Sequence, residues 1–245
     1  MPNYAVVLLL AGKSSRFQHK EKKPYADLDG RAVWLRSLEV FSVREDVKQI
    51  LIAISPEDEE LFDRRYRANV AFLDVAKVVM GGDERVDSVQ AALAHVKSEI
   101  DYVAVHDAAR PCLTAALVEK VFESVTRTGA SMLAAPVVDT VKRTDVMGAI
   151  TETIPRERLW LAQTPQVFER ELLLQAYAQR GKQQGITDDS QLVEALGRKV
   201  HVVESDPSNF KITVASDLPM AAALIKSRES AKPRQLHPFG EEAMW

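Results

Sequence analysis

Short unbroken apolar runs alternate with stretches of helical period along most of this chain. Tyr4-Ala-Val-Val-Leu-Leu is continuous and apolar, as in a strand buried on both faces of a parallel sheet. Residues 31–41 then place Trp34, Leu38 and Phe41 on one helical face. Residues 47–54, with QILIAI at their centre, predict a second strand. Ser55-Pro56-Glu57-Asp58 supplies an N-cap, a first-turn proline and early acids, which together predict a helix start. A third strand is predicted over 75–80, and Val86, Val89, Leu93 and Val96 recur at helical spacing after it. Residues 102–105 predict a short fourth strand, followed by a helix carrying Leu117, Val118, Val121, Phe122 and Val125. Such alternation predicts an α/β fold: a mostly parallel twisted sheet, covered by helices and joined by right-handed crossovers.

The pattern changes near Ala134. Residues 136–165 hold VVDTVKR, a turn at Gly148, AITETI and LWLAQTPQVF, with much β-branching and little helical period. They predict an extended arm, a hairpin protruding from the domain. An arm with Trp160 and apolar edges is left uncovered on a monomer, so a homodimer through this arm is expected. Helices are predicted at 169–179 and at 188–196, the latter entered through Thr187-Asp188-Asp189-Ser190. A strand HVVE, the segment Asn209-Phe210-Lys211-Ile212-Thr213 and a helix over 216–227 complete one domain, 1–227. Residues 228–245, polar and with two prolines, read as a mobile tail. No internal repeat is evident.

Composition narrows the class without changing the fold. The chain is 46% hydrophobic and 27% charged, ordinary for a globular protein. A net charge of −3 gives no global field to draw nucleic acid, so cations matter only where they cluster. The single cysteine, Cys112, allows neither an internal disulfide nor a cysteine-rich metal site, and reads as a small buried or half-buried residue. No apolar run reaches membrane-spanning length and no leader is recognisable, which points to the cytoplasm.

Candidate chemistry lies where the strands end. Directly after the first strand the chain becomes small and polar, LAGKSSRFQHKEKKPY, with Lys13, Arg16, Lys20, Lys22 and Lys23 against Glu21 alone. A loop at the carboxyl end of a buried strand is where open α/β sheets bind ligands. Small residues there let backbone N–H groups approach an anion and cations neutralise it, so a polyphosphate is expected. A solvated lysine-rich loop is the plain alternative. A Walker A loop would need glycine at Val7, and a dinucleotide fingerprint would need it at Ser14 and Phe17, so neither motif is present. Gly81-Gly82-Asp83-Glu84-Arg85 ends the third strand. It is either a good helix start, capped by Asp83 or Ser88, or a second polar loop able to read a nucleobase edge. In His106-Asp107-Ala108-Ala109-Arg110-Pro111, Asp107 is suited to a hydrated Mg²⁺ and Arg110 to a phosphate, or the two form an ion pair closing a turn. One histidine, His106, makes no metal site.

LAGKSSRF with Lys23-Pro24-Tyr25, GGDERVDSV, VHDAARP, DTVKR, LAQTPQVF, ITDDS and NFKIT occur here in the order and spacing of 2-C-methyl-D-erythritol 4-phosphate cytidylyltransferases. The chain resembles that family over about 4–225. The resemblance implies a Rossmann-like nucleotidyltransferase fold, a homodimer linked by the arm, CTP and 2-C-methyl-D-erythritol 4-phosphate as substrates, and Mg²⁺. By the same resemblance Arg16 and Lys23 hold the triphosphate and, with Lys211, act in catalysis, while Ala11, Gly12, Gly82, Asp83 and Ser88 frame the cytidine. Arg85 braces the second loop. Asp107, Arg110, Thr140, Arg156, Thr187 and Lys211 receive the acceptor, with Thr140 and Arg156 reaching a neighbour's site. The chain departs from the family's usual Ala-Ala-Gly-x-Gly-x-Arg-Met at Leu10, Ser14 and Phe17, and Leu10 is expected to add bulk near the base. A cytidylyltransferase for another polyol phosphate, such as ribitol 5-phosphate, and a nucleotide-binding regulator without turnover are the alternatives.

Overall fold

The computed structural model describes residues 1–12, 17, 21–71, 73, 76–82, 84–181 and 185–230. β1 (Tyr4–Leu9) is followed by a 3₁₀ turn at Lys23–Tyr25, a small hairpin of β2 (Asp27–Leu28) and β3 (Arg31–Ala32), and α1 (Val33–Ser42). Then come β4 (Val47–Ile54), α2 (Glu59–Ala71), β5 (Ala76–Met80), α3 (Arg85–Leu93), β6 (Tyr102–Asp107), α4 (Ala115–Thr128) and β7 (Ala130–Pro136). β8 (Val141–Thr144) and β9 (Ile150–Ile154) pair only with each other among the described residues. β10 (Trp160–Glu169), α5 (Arg170–Ala178), α6 (Ser190–Ala195), β11 (His201–Glu204) and α7 (Asp217–Ser230) follow.

The main sheet runs β11-β7-β10-β6-β1-β4-β5. β1 pairs in parallel with β4 and β6, β4 with β5, and β11 with β7. β10 runs antiparallel to both its neighbours, β6 and β7. The sheet is thus mostly parallel, as the alternating pattern predicts. The continuous apolar run of β1 is explained by the two-residue period of a strand. Val6 and Leu8 enter a core with Trp34, Phe41, Phe62 and Phe122, whereas Ala5, Val7 and Leu9 enter one with Val86, Val89, Phe168 and Leu173. Helices cover both faces, and β1 is flanked by β4 on one side and β6 on the other, so a crevice opens at their carboxyl ends.

The structure corrects three expectations and adds one strand that the sequence reading left out. Residues 31–32 are strand rather than helix, because Asp29 and Gly30 take φ of 55° and 78° and turn the chain into a hairpin, leaving α1 to begin at Val33. β7 is a buried central strand where the sequence shows only alanine-rich ASMLAAP. The arm predicted over 136–165 is shorter: residues 160–162 already pair with β7, and 163–168 are buried in the sheet. Apolar Val167 and Phe168 draw that segment into the core, and the protruding part is 137–159. The tail does not begin at Arg228. That residue lies in α7 and donates to Cys112 O at 2.6 Å and Ser208 Oγ at 2.5 Å. α7 closes a third apolar cluster of Phe17, Leu28, Val33, Cys112, Ile212 and Ala221. Burial there pushes the Cys112 thiol up to about 11.

Candidate active site

Two loops meet at the end of the sheet because their backbones leave no room for side chains. The N–H groups of Leu10 and Ala11 both donate to Ala53 O, at 2.9 and 3.0 Å, and Gly81 N–H donates to Ile54 O at 2.7 Å. A Cβ on Gly81 would lie 2.6 Å from Ser88 Oγ and 3.1 Å from the Ala11 Cβ. A Cβ on Gly82 would lie 2.4 Å from the Asp87 Cβ. A side chain at Gly82 would therefore force the loop to shift, and one at Gly81 would at least displace the Ser88 hydroxyl. Ser88 is buried and accepts from Gly82 N–H at 3.2 Å. It sits inside α3 and does not cap it. Glu84 is the N-cap, in a reciprocal capping box with Asp87. Ala11, Gly82 and Ser88 are thus brought together, with Gly12 next in the chain. Leu10 does not crowd this space: its side chain is buried in the core with Tyr25 and Trp34.

The end of β6 carries the charged centre. Asp107 Oδ1 accepts from Arg85 Nε at 3.2 Å, while Oδ2 accepts from Lys211 Nζ at 2.9 Å and lies 3.8 Å from Arg110 Nε. Burial alone would push this carboxyl up, but Arg85, Lys211 and Arg110 outweigh it and hold it well below the usual carboxylate range. Arg85 spans two acids. Its Nη2 meets Asp189 Oδ2 at 2.8 Å, and Asp189 is fully buried. Burial favours the neutral guanidine, yet Asp189 and Asp107 together hold Arg85 firmly charged. The bracing expected within its own loop is therefore wider: Arg85 joins α3, β6 and the start of α6.

Backbone positions here are set by neutral groups. Thr164 Oγ1 accepts from Asp107 N–H at 3.0 Å and lies 3.0 Å from His106 Nδ1. His106 Nε2 faces Arg110 O at 3.4 Å. With one proton on Thr164 Oγ1, the consistent arrangement is Thr164 donating to Nδ1 and Nε2–H donating to Arg110 O. Burial lowers His106 to about 3, so it is neutral at physiological pH. Arg110 Nη1 donates to Asn209 O at 2.8 Å, and Asn209 Nδ2 donates to Gln163 Oε1 and Thr164 O at 2.9 and 3.0 Å. Gln166 Oε1 accepts from the N–H groups of Asp189 and Ser190 at 3.0 and 3.1 Å.

The other expected residues are placed unevenly. Lys23 opens the 3₁₀ turn and lies near Asp217, at the start of α7. Burial would raise the Asp217 carboxyl, but the Thr213 and Val214 amides it accepts from, with Lys23 close by, hold it below its ordinary value. Lys22 instead pairs with Glu57 and with Asp58 at 2.8 Å. Thr187 precedes the Asp189 turn and is tied to Gln191, Oγ1 accepting at 2.9 Å. Thr140 and Arg156 are exposed on the arm, where Arg156 donates to Val138 O. Among the described residues neither is bonded to the Asp107 cluster. Arg16 and Asp83, with Lys13, Ser14 and Lys20, lie outside the described residues. Thr164, Gln166, Asn209 and Asp189 are the site residues that the sequence reading did not single out.

For a divalent cation the chain itself offers little. Among the described residues no group of three or more His, Cys, Asp or Glu is placed to hold a metal. Asp107, at the end of β6, is already engaged by three cationic side chains. Such a donor set fits an ion held chiefly by phosphate oxygens. No helix among the described residues is long and apolar enough to cross a membrane.

Comparison with known proteins is consistent over nearly the whole chain. The family model IspD, 2-C-methyl-D-erythritol 4-phosphate cytidylyltransferase, matches residues 4–227. The enzyme of that name from Pelotomaculum thermopropionicum is 37% identical over 230 residues, covering 94% of this chain and 97% of its own. Its namesake from Chromobacterium violaceum is 40% identical over 221 residues, covering 89% and 96%. The crystal structure of 4-diphosphocytidyl-2C-methyl-D-erythritol synthase from Anaerococcus prevotii superposes with a TM-score of 0.79 at 28% identity, over 92% of this chain and 96% of that one. With the family model matched over residues 4–227 and relatives 37–40% identical over about nine-tenths of its length, this chain belongs to the 2-C-methyl-D-erythritol 4-phosphate cytidylyltransferase family.

Proposed function

We propose that this chain transfers the cytidylyl group of CTP to 2-C-methyl-D-erythritol 4-phosphate, in isoprenoid biosynthesis, with its residues in the following roles. Ala11, Gly12, Gly82, Asp83 and Ser88 frame the cytidine, and Arg16 and Lys23 hold the triphosphate. Asp107, Arg110, Thr187 and Lys211 receive the acceptor, joined by Thr140 and Arg156 from the arm of a second subunit. A phosphate oxygen of the acceptor attacks the α-phosphorus of CTP. The bond to the β-phosphate breaks, and pyrophosphate leaves. The attacking phosphate is already ionised near neutral pH, so no general base is needed. That agrees with a buried, neutral His106 committed to Thr164 and Arg110.

Lys211 supports the reading most directly. Its ammonium is anchored by Asp107, yet the side chain is 37% exposed, so it can turn charge toward an incoming phosphate. Positioning and preorganised charge supply most of the acceleration in such a transfer. A bound Mg²⁺ would lessen repulsion between two anionic reactants. Exposed Val138, Ile150, Trp160 and Leu161 support a homodimer built through the arm. A cytoplasmic location is part of the same proposal. Pyrophosphate release from CTP with each polyol phosphate tests the assignment. Release with methylerythritol phosphate and not ribitol 5-phosphate is expected. Preference for ribitol 5-phosphate, or binding of CTP without release, overturns it.

A further inference from the structure

We infer that Asp189, which touches neither proposed substrate site, is a positioning residue: through Arg85 it sets how Asp107 presents Lys211 to the acceptor phosphate. The inference rests on the roles proposed above for Asp107 and Lys211. Arg85 has one guanidinium and two carboxylate neighbours. Nε serves Asp107 Oδ1 at 3.2 Å, and Nη2 serves Asp189 Oδ2 at 2.8 Å. Because Asp189 holds the far edge of the fork, Arg85 meets Asp107 through a single N–H. Asp107 Oδ2 is then left for Lys211 at 2.9 Å.

Asp189 is itself rigidly held. It is fully buried, its Oδ1 accepts from the Tyr177 hydroxyl at 2.5 Å, and its N–H is fixed by Gln166 Oε1 at 3.0 Å. Tyr177 is buried on α5, and burial, then Asp189, pushes its phenol up, so it donates and stays neutral. The chain Tyr177–Asp189–Arg85–Asp107–Lys211 therefore runs from behind the sheet to a half-exposed cation. Charge explains why an acid is needed at 189. Arg85, Arg110 and Lys211 bring three positive charges to this centre, against two from Asp107 and Asp189. An amide at 189 releases the whole of Arg85 onto Asp107. A guanidinium pairs with a carboxylate most strongly through both oxygens, so it would compete with Lys211 for Oδ2.

The test is steady-state kinetics of full-length Asp189→Asn with CTP and methylerythritol phosphate, beside direct CTP titration. Acceptor kcat/KM should fall by about tenfold or more, the scale of a lost charge-assisted hydrogen bond, while CTP affinity stays within about twofold. In a Lys211→Ala background the same change should have almost no further effect, since the path ends at Lys211. A packing role alone would lower both substrates' parameters together and add fully to Lys211→Ala, and either outcome overturns the inference. Tyr177→Phe is the second variant and keeps the question open to refutation if Asp189→Asn does not fold. It should raise acceptor KM in the same direction, by about threefold, and unchanged acceptor kinetics in a folded Tyr177→Phe protein would count against the relay. Absence of wild-type turnover overturns the proposed reaction and this inference with it. Wild-type turnover with an indifferent Asp189→Asn overturns the inference alone.

Discussion

Replacing Asp107 with asparagine keeps the shape of the side chain and removes the charge on which three cations converge. The lost partners are Arg85 at 3.2 Å, Lys211 at 2.9 Å and, more weakly, Arg110 at 3.8 Å. Removing one member of a buried ion pair costs about 3–5 kcal/mol. Arg85 retains Asp189, and Lys211 can rehydrate, so a loss near the lower end, about 3 kcal/mol, is expected. For a chain of this length that corresponds to a fall in Tm of about 6–12 °C. The sign of the pH dependence follows from the depressed carboxyl. A folded-state pKa below the unfolded value of about 3.9 gives stability that is complete above that value and fades as pH falls through it toward the folded one. The gap between wild type and Asp107→Asn should therefore be constant from pH 5 to 7 and smaller at about pH 3.5. Urea titration at each pH, with calorimetry at neutral pH, reads both effects. A Tm change under about 2 °C, or a gap that widens in acid, would refute the claim that Asp107 is held ionised by its neighbours.

Lys23→Ala should lower turnover by about 10²–10³-fold, as does loss of one donor to developing charge, and activity within a few-fold of wild type in a pyrophosphate assay would show the loop misassigned. Gly82→Ala forces a Cβ to within 2.4 Å of the Asp87 Cβ, so the loop must shift. CTP should then bind about tenfold more weakly by calorimetry, and unchanged affinity would remove this loop from the nucleotide site. Arg156→Ala mixed with Lys23→Ala should regain activity in heterodimers, each supplying the group the other lacks. A mixture as inactive as its parts would exclude a shared site.

Much of the fold was legible because buried parallel strands carry a strong signal. β4 is found over the residues that its QILIAI core predicts, and the two-faced burial of β1 explains its unbroken apolar run. β7 escaped notice because Ala130, Ala134 and Ala135 have neither β-branching nor bulk, and only neighbouring strands make them a strand. The hairpin at Asp29-Gly30 did carry a readable signal, an Asp-Gly pair suited to positive φ. Asp107 and Arg110 stand out in sequence as charges at and just after the end of a strand, whereas Lys211 was named only through the family resemblance. Asp189 and Gln166 were not singled out, since a buried acid and a buried amide announce themselves only through partners 104 and 24 residues away.

β10 has a consequence for how this protein tolerates change. The same strand carries Trp160 and Leu161 beside the arm and, a few residues on, Thr164 and Gln166 beneath Asp107 and Asp189. Alternate side chains of a strand face opposite ways, so removing one residue just before Gln163 would turn the following groups over. Lengthening the hairpin at Gly148, by contrast, leaves that phase untouched. The arm's tip should therefore vary freely in length among relatives, while the stretch joining it to the sheet should keep its residue count.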